Sequence, residues 1–350
     1  MSDTLTPDAL LAGPRGRRLC FELLRAPATI WRIAFYAERS PSEQAVNDLV
    51  DAIADAAPAP IDATLLLDAL EAAVGNARYW QPPDETDVLV ATPRIRSALE
   101  PVARQIVDSA HSAWWSTPVQ LDDLRHVQWL DDDGQQPLAP SFTGAAGQLD
   151  RWRTRSLAEE AATADTPAAA NHSGSWWSTP AHTTLATSTR SAADLGALGL
   201  RLVEDALGWT EAIVTPLRAT RPPRVYEITG PDAWSDLVAR FPMHVSLSRR
   251  HDWWRTTGVD GEWAIPDWAG VASAYDAVHL TVAGYLTSAG RALPVADGVG
   301  TVVAGWDPDQ SYWLGDVLEI AGDPVYWHHD DDTGGWSRGA HHPRRPAAWR

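Results

Sequence analysis

The hydrophobic pattern changes period part-way along the chain, and that change limits the fold more than any motif does. Through about residue 110, apolar positions recur at three- and four-residue intervals over 18–24, 45–56, 63–74 and 95–106, the spacing of one helix face. Pro41-Ser42-Glu43-Gln44 and Pro60-Ile61-Asp62 fit helix starts, and Gly75-Asn76 fits a stop. Another helix is expected over 148–162, with one or two short strands between 111 and 145. After that the texture becomes strand-like. Segments 209–217, 224–228, 244–248, 276–286, 300–306 and 311–317 are rich in Val, Thr, Ile, Tyr and Trp and are bounded by Gly, Pro and Asp. Helices are expected at 191–207 and 231–240.

A run of helices followed by a run of strands predicts an α+β fold: a mainly helical N-terminal half, then a C-terminal antiparallel or mixed β-sheet domain with helices. The expected division is a helical domain over 1–162, a linker over 163–173, an α+β ligand-binding or catalytic domain over 174–327, and an unstructured tail over 328–350.

Composition removes several functions. Among 350 residues there is no lysine, so all 28 basic residues are arginine, which excludes a Schiff-base lysine and a lysine-dependent phosphate loop. A net charge of −18 repels a polyanionic backbone, so general nucleic-acid binding is not expected. The single cysteine, Cys20, sits in an apolar helical pattern and reads as a buried, inert thiol. The first residues lack the charged start and apolar run of a secretion signal, and no apolar stretch approaches a membrane span, so a cytoplasmic protein without membrane contact is expected.

Nineteen tryptophans stand beside only four Phe and two Met. Three pairs are adjacent: Trp114-Trp115, Trp176-Trp177 and Trp253-Trp254. On a strand, neighbours point to opposite faces, so each pair can send one ring to the core and one to a cleft. The same residues serve equally as core filling in place of Phe and Met. Two of the pairs lie in an internal repeat, because Trp114-Trp115-Ser116-Thr117-Pro118 recurs 62 residues later as Trp176-Trp177-Ser178-Thr179-Pro180. Two equivalent Trp, Ser and Thr sets around one ligand, or two strands that pack alike, both account for it.

Two familiar catalytic signatures are missing: there is no H-E-x-x-H and no C-x-x-C. The His328-His329-Asp330-Asp331-Asp332 run with His341-His342 has metal-ligand residue types but no rigid frame, so no metal is expected there. Period-two alternation is more suggestive. It puts His279 and Thr281 on one face of 276–286, Ser246 and Ser248 together on one face of 244–248, and Arg224 with Tyr226 on 224–228. Converging, these faces would form a site with arginine for an anion, hydroxyls for orientation, an imidazole, and indoles for stacking. Facing water, they are the wet side of an antiparallel sheet. The Arg249–Gly258 stretch, with Trp253, Trp254 and Arg255, suits a phosphate-bearing aromatic ligand or an exposed arginine-rich turn.

In order along the chain, Arg224 in Arg-Val-Tyr-Glu, Ser246-Leu247-Ser248, and Asp307-Pro308-Asp309-Gln310-Ser311 resemble the ADP-ribosyltransferase class. In that class an arginine strand precedes an S-x-S strand and a loop ending in a catalytic glutamate, around NAD. The resemblance implies NAD as cofactor and covers the C-terminal third of the chain. Gln310 stands where it implies the glutamate, which leaves Asp307 or Asp309 as the nearby carboxylate.

Two readings follow. One is a nucleotide-handling enzyme, an NAD-dependent transferase or glycohydrolase, with His279, Gln310 and Asp309 at the reacting centre and Arg224, Ser246, Ser248 and Arg255 holding the ligand. The other is a non-catalytic regulator or immunity-type protein. Its tryptophan-rich cleft, built from Trp114, Trp115, Trp176, Trp177, Trp253 and Trp254, would take a small molecule with an aromatic or phosphate group, or a protein partner.

Overall fold

The computed structural model describes residues 5–24, 28–40, 42–56, 60–130, 142–167, 170–192, 195–206, 208–296, 298–330 and 334–339. Among these residues, thirteen α-helices and three antiparallel or mixed sheets make an α+β fold with a helical N-terminus. Local signals place several helices well. Asp62 accepts the amide of Leu65 at 2.8 Å and starts the helix Ala63–Gly75, and Asp84 accepts that of Asp87 at 2.7 Å to start Glu85–Ala91. The helix Pro231–Arg240 opens on proline, as its sequence requires. Among the described residues, no helix is long and apolar enough to cross a membrane.

The first sheet is antiparallel: Glu211–Ala219 pairs with Leu124–Trp129 on one side and with Leu318–Ile320 and Val325–Asp330 on the other, and Gly335–Arg338 closes the edge. The second runs Thr187–Ser188, Gln310–Trp313, Ala277–Leu280, Val225–Ile228, the last pair parallel. The third runs Pro242–His244, Glu262–Pro266, Val299–Thr301, Leu293–Ala296.

The largest core cluster draws on side chains from Leu10 to Leu314, so helices of the first third pack directly onto elements of the last. Gly13 shows how closely. A Cβ there would lie 1.9 Å from the carbonyl oxygen of Leu286, in the helix Val282–Ser288. Among the described residues, seven tryptophans are buried in this interior. Trp234, Trp268 and Trp306 meet with ring centroids 5.5–6.4 Å apart, and Trp253 meets Trp263 edge-on at 5.3 Å.

Several expected elements differ. Among the described residues of 191–207 there is no α-helix; Gly196 takes a φ of +87°, and a short 3-10 turn, Leu198–Leu200, follows it. The strand expected at 244–248 stops at His244, and Ser246–Thr257 is a helix. The strand expected over 276–286 ends at Leu280, where Thr281 caps the helix Val282–Ser288 by accepting the amide of Gly284 at 2.9 Å. The first repeat copy forms a 3-10 turn, Ala113–Ser116, rather than a strand.

Of the segment expected to be an unstructured tail, the described residues 328–330 and 335–338 pair as antiparallel strands instead. Its Trp336 packs on Trp129 at 5.5 Å, and Trp209 stacks on the same ring at 5.1 Å. His328 and His329 lie on the first of these strands, whereas Asp331, Asp332, His341 and His342 fall outside the described residues.

Candidate functional site

The mixed sheet sets the site. Register places Glu227 beside His279 in the parallel pair, Ser311 beside His279 in the antiparallel pair, and Ser188 beside Ser311. Both faces of Ala277–Leu280 are covered, so His279 is buried rather than on a wet face. Its Nδ1 lies 2.6 Å from Oε2 of Glu227, and its Nε2 lies 3.5 Å from Oδ1 of Asp309. Asp309 is delivered by the turn after Pro308 with a φ of +57°, a left-handed conformation that Asp tolerates better than most residues. Its carboxylate then accepts Nε of Arg190 at 2.7 Å, the amide of Arg190 at 2.9 Å and the hydroxyl of Thr189 at 3.1 Å.

The result is a chain of alternating charge, Glu227, His279, Asp309, Arg190. Burial disfavours the imidazolium, but hydrogen bonds to Asp309 and Glu227 more than offset this and raise the His279 pKa to about 9. Burial also opposes ionisation of Asp309, and contact with His279 and Arg190 outweighs it, so that carboxyl titrates below its usual range.

A Ser311, His279, Glu227 row has the residue types of a nucleophile, a base and an orienting acid. Two facts weigh against that chemistry. Ser311 is fully buried, and a protonated imidazole between two carboxylates has no free lone pair to accept a proton.

Arg190 carries the network to the surface. Its NH1 donates to the hydroxyl of Thr117 at 2.9 Å, and its guanidinium carbon sits 4.9 Å from the ring centroid of Trp114. There it borders a cleft of about 520 Å³ between the helix Ala63–Gly75, the turn Ala113–Ser116 and the segment after Arg190. Leu66, Leu67, Leu70, Trp115 and Leu198 make most of the wall apolar, with His111, Thr64 and Ser191 as polar points.

A second network lies across the same loop. Asp307 accepts the amide of Glu204 at 2.9 Å, and Glu204 accepts the amide of Trp306 at 3.0 Å. Burial, then the charge of Asp307, pushes Glu204 up to about 8, and burial pushes Asp307 up to about 7.

The residues singled out in the sequence separate into several places. Trp114, Trp115, Asp309 and His279 belong to the cleft and its support. Gln310 instead donates through Nε2 to Asp307 at 3.1 Å. Arg224 is exposed and pairs with Asp276. Ser246 and Ser248 sit at a helix start rather than on a strand. Ser246 Oγ accepts the amide of Trp263 at 2.8 Å, and Glu160 accepts both the amide and the hydroxyl of Ser248, at 2.8 and 2.6 Å. The carboxylate of Glu160 thus satisfies free amides that open this helix, which local sequence does not show.

Trp253 is buried and donates to the carbonyl of Trp176 at 2.9 Å, whereas Trp254 on the same helix is exposed. Arg255 donates to the carbonyl of His172 at 2.8 Å and pairs with Asp252. The two repeat copies adopt different geometries: Trp114 and Trp115 are edge-to-face at 6.5 Å, and Trp176 and Trp177 are stacked at 4.7 Å.

Sequence reasoning missed Arg190, Glu227 and Glu204. Glu227 stands inside the quoted Arg-Val-Tyr-Glu string, and only the parallel pairing with 277–280 gives it a role. Arg190 carries no local signal. Comparison with protein-family models, with curated proteins and with solved structures finds no match to this chain.

Proposed function

We propose that the protein is a non-catalytic binder of a small molecule with an aromatic or apolar body, held in the cleft lined by Trp114, Trp115 and Leu67. The observation that carries this reading is the stacking of Arg190 on Trp114 by a guanidinium already held through Asp309 and Thr117. A ring fixed in this way is ready to stack on a ligand without losing further side-chain freedom. Because the donors of Arg190 are engaged inside the protein, recognition would come from shape and stacking more than from an anion. The NAD-handling reading draws less support, since Arg224 is engaged by Asp276 and Ser248 by Glu160, two separate sets of contacts.

Titration with an anilinonaphthalene sulfonate dye tests the reading. Saturable binding is expected, lost in Trp114→Ala and in Leu67→Trp, which fills the cleft. Equal binding by both variants and the parent, or no saturable binding by the parent, would end it.

A further inference from the structure

A second cleft, of about 510 Å³, opens beside Tyr79 and the helix Pro14–Leu24, which contains Arg15 and Arg17. Its wall presents four guanidiniums, of Arg15, Arg17, Arg78 and Arg291, against the two carboxylates of Asp84 and Asp87. Those carboxylates are occupied, Asp87 by Arg15 and Arg18, and Asp84 by Arg18 at 2.9 Å. Arg78 is occupied too, with Asp205 at 2.9 Å.

Arg17 and Arg291 are left over. Arg17 donates through NH1 only to the carbonyls of Leu11 and Ala12, both at 3.0 Å, and its Nε is buried with no acceptor. Arg291 donates through NH1 to the carbonyl of Thr287 at 2.6 Å. Among the described residues neither forms an ion pair, and neither does nearby Arg96 on the helix Pro93–Ala98. Three neighbouring guanidiniums without a carboxylate run against a chain that has 46 acidic residues for 28 basic ones.

We propose that this cleft binds the phosphoryl group of a small phosphate monoester between Arg17 and Arg291. The excess of two positive charges on the wall matches a dianion, and each guanidinium offers unused N–H groups in fork geometry. Pro82, Pro83, Val88 and Val259 supply an apolar floor for the body of the ligand. The electrostatics agree: burial, then Arg96, holds Arg17 down to about 10, and the same two causes lower Arg291. An anion between them would relieve that repulsion.

The test is calorimetric titration of the full chain with phenyl phosphate, and with benzoate for comparison, at neutral pH and two salt concentrations. Saturable binding of phenyl phosphate is expected, weakened by salt and by about tenfold in Arg17→Gln and in Arg291→Gln, the loss of one charge-assisted contact. Arg291 is half-exposed and bonds only one carbonyl, so Arg291→Gln carries the test if Arg17→Gln does not fold. Absence of saturable binding by the parent, unchanged affinity in a folded Arg291→Gln, or benzoate binding as tightly as phenyl phosphate would each overturn the proposal.

Discussion

The guanidinium of Arg190 lies 4.9 Å from the ring centroid of Trp114 while its Nε donates to Asp309 at 2.7 Å, so the position of one indole is tied to a buried ion network. The far end of that network, Glu227, lies on the opposite side of His279. Changes inside the sheet should therefore be felt at the cleft.

His279→Gln removes the cation between Glu227 and Asp309 and leaves two carboxylates facing each other in a buried row. Breaking a buried pair of this kind costs about 3 kcal/mol. Guanidine unfolding should show that loss. A change of under about 0.5 kcal/mol, the range of an ordinary surface substitution, would show that the network is not a stabilising unit.

Stability should fall as pH rises through the neutral range. His279 moves from 6.5 to about 9 on folding, so its contribution is complete below 6.5 and lost as pH passes about 9. Glu204 and Asp307 act in the same direction: raised from 4.5 to about 8 and from 3.8 to about 7, they keep protons in the folded state that the unfolded chain releases. Unfolding free energies measured from pH 6.5 to 9 should decline, and Glu204→Gln or Asp307→Asn should flatten the slope. A level profile for the parent would contradict this.

The adjacent tryptophans of the helix Ser246–Thr257 should behave unequally. Trp253 is sealed between Trp176 and Trp263, so Trp253→Ala should cost about 3–5 kcal/mol. Trp254 is 52% exposed, and Trp254→Ala should stay within about 0.5 kcal/mol. Parallel chemical melts of the two variants decide the matter.

Gly13→Ala should destabilise the whole molecule. The added methyl meets the backbone carbonyl of Leu286, which cannot swing away as a side chain tip can. Overpacking of this kind costs about 1–3 kcal/mol. Gly261→Ala, whose nearest neighbour would be a side-chain methyl of Val259 at 3.9 Å, is the control. If Gly13→Ala melts with the parent, the contact between these helices is looser than described.

Much of the fold was legible. Helix signals at Asp62 and Pro231 rest on one or two turns of chain, and the structure places helices at both. Two of the misread stretches share one cause. In 244–248 and 276–286, period-two alternation is real over four or five residues. There, caps supplied by Glu160 from another helix and by Thr281 within its own turn end the strands early. The tail was misread for a related reason: composition alone does not show that Trp129, on a distant strand, gives Trp336 a partner.

By itself the sequence determined the class of fold, the absence of lysine chemistry, and the need to bury many indoles, because these follow from periodicity and composition. It also singled out His279, Asp309, Trp114 and Trp115. Tertiary structure alone decided that the first two lie in one ion row, that Arg190 links this row to Trp114, and that Ser246, Ser248 and Arg224 are engaged elsewhere. Local patterns reach only three or four residues. The partners of His279 lie 52 and 30 positions away, and those of Arg190 lie 119 and 73 away, where only strand register and packing set the distance.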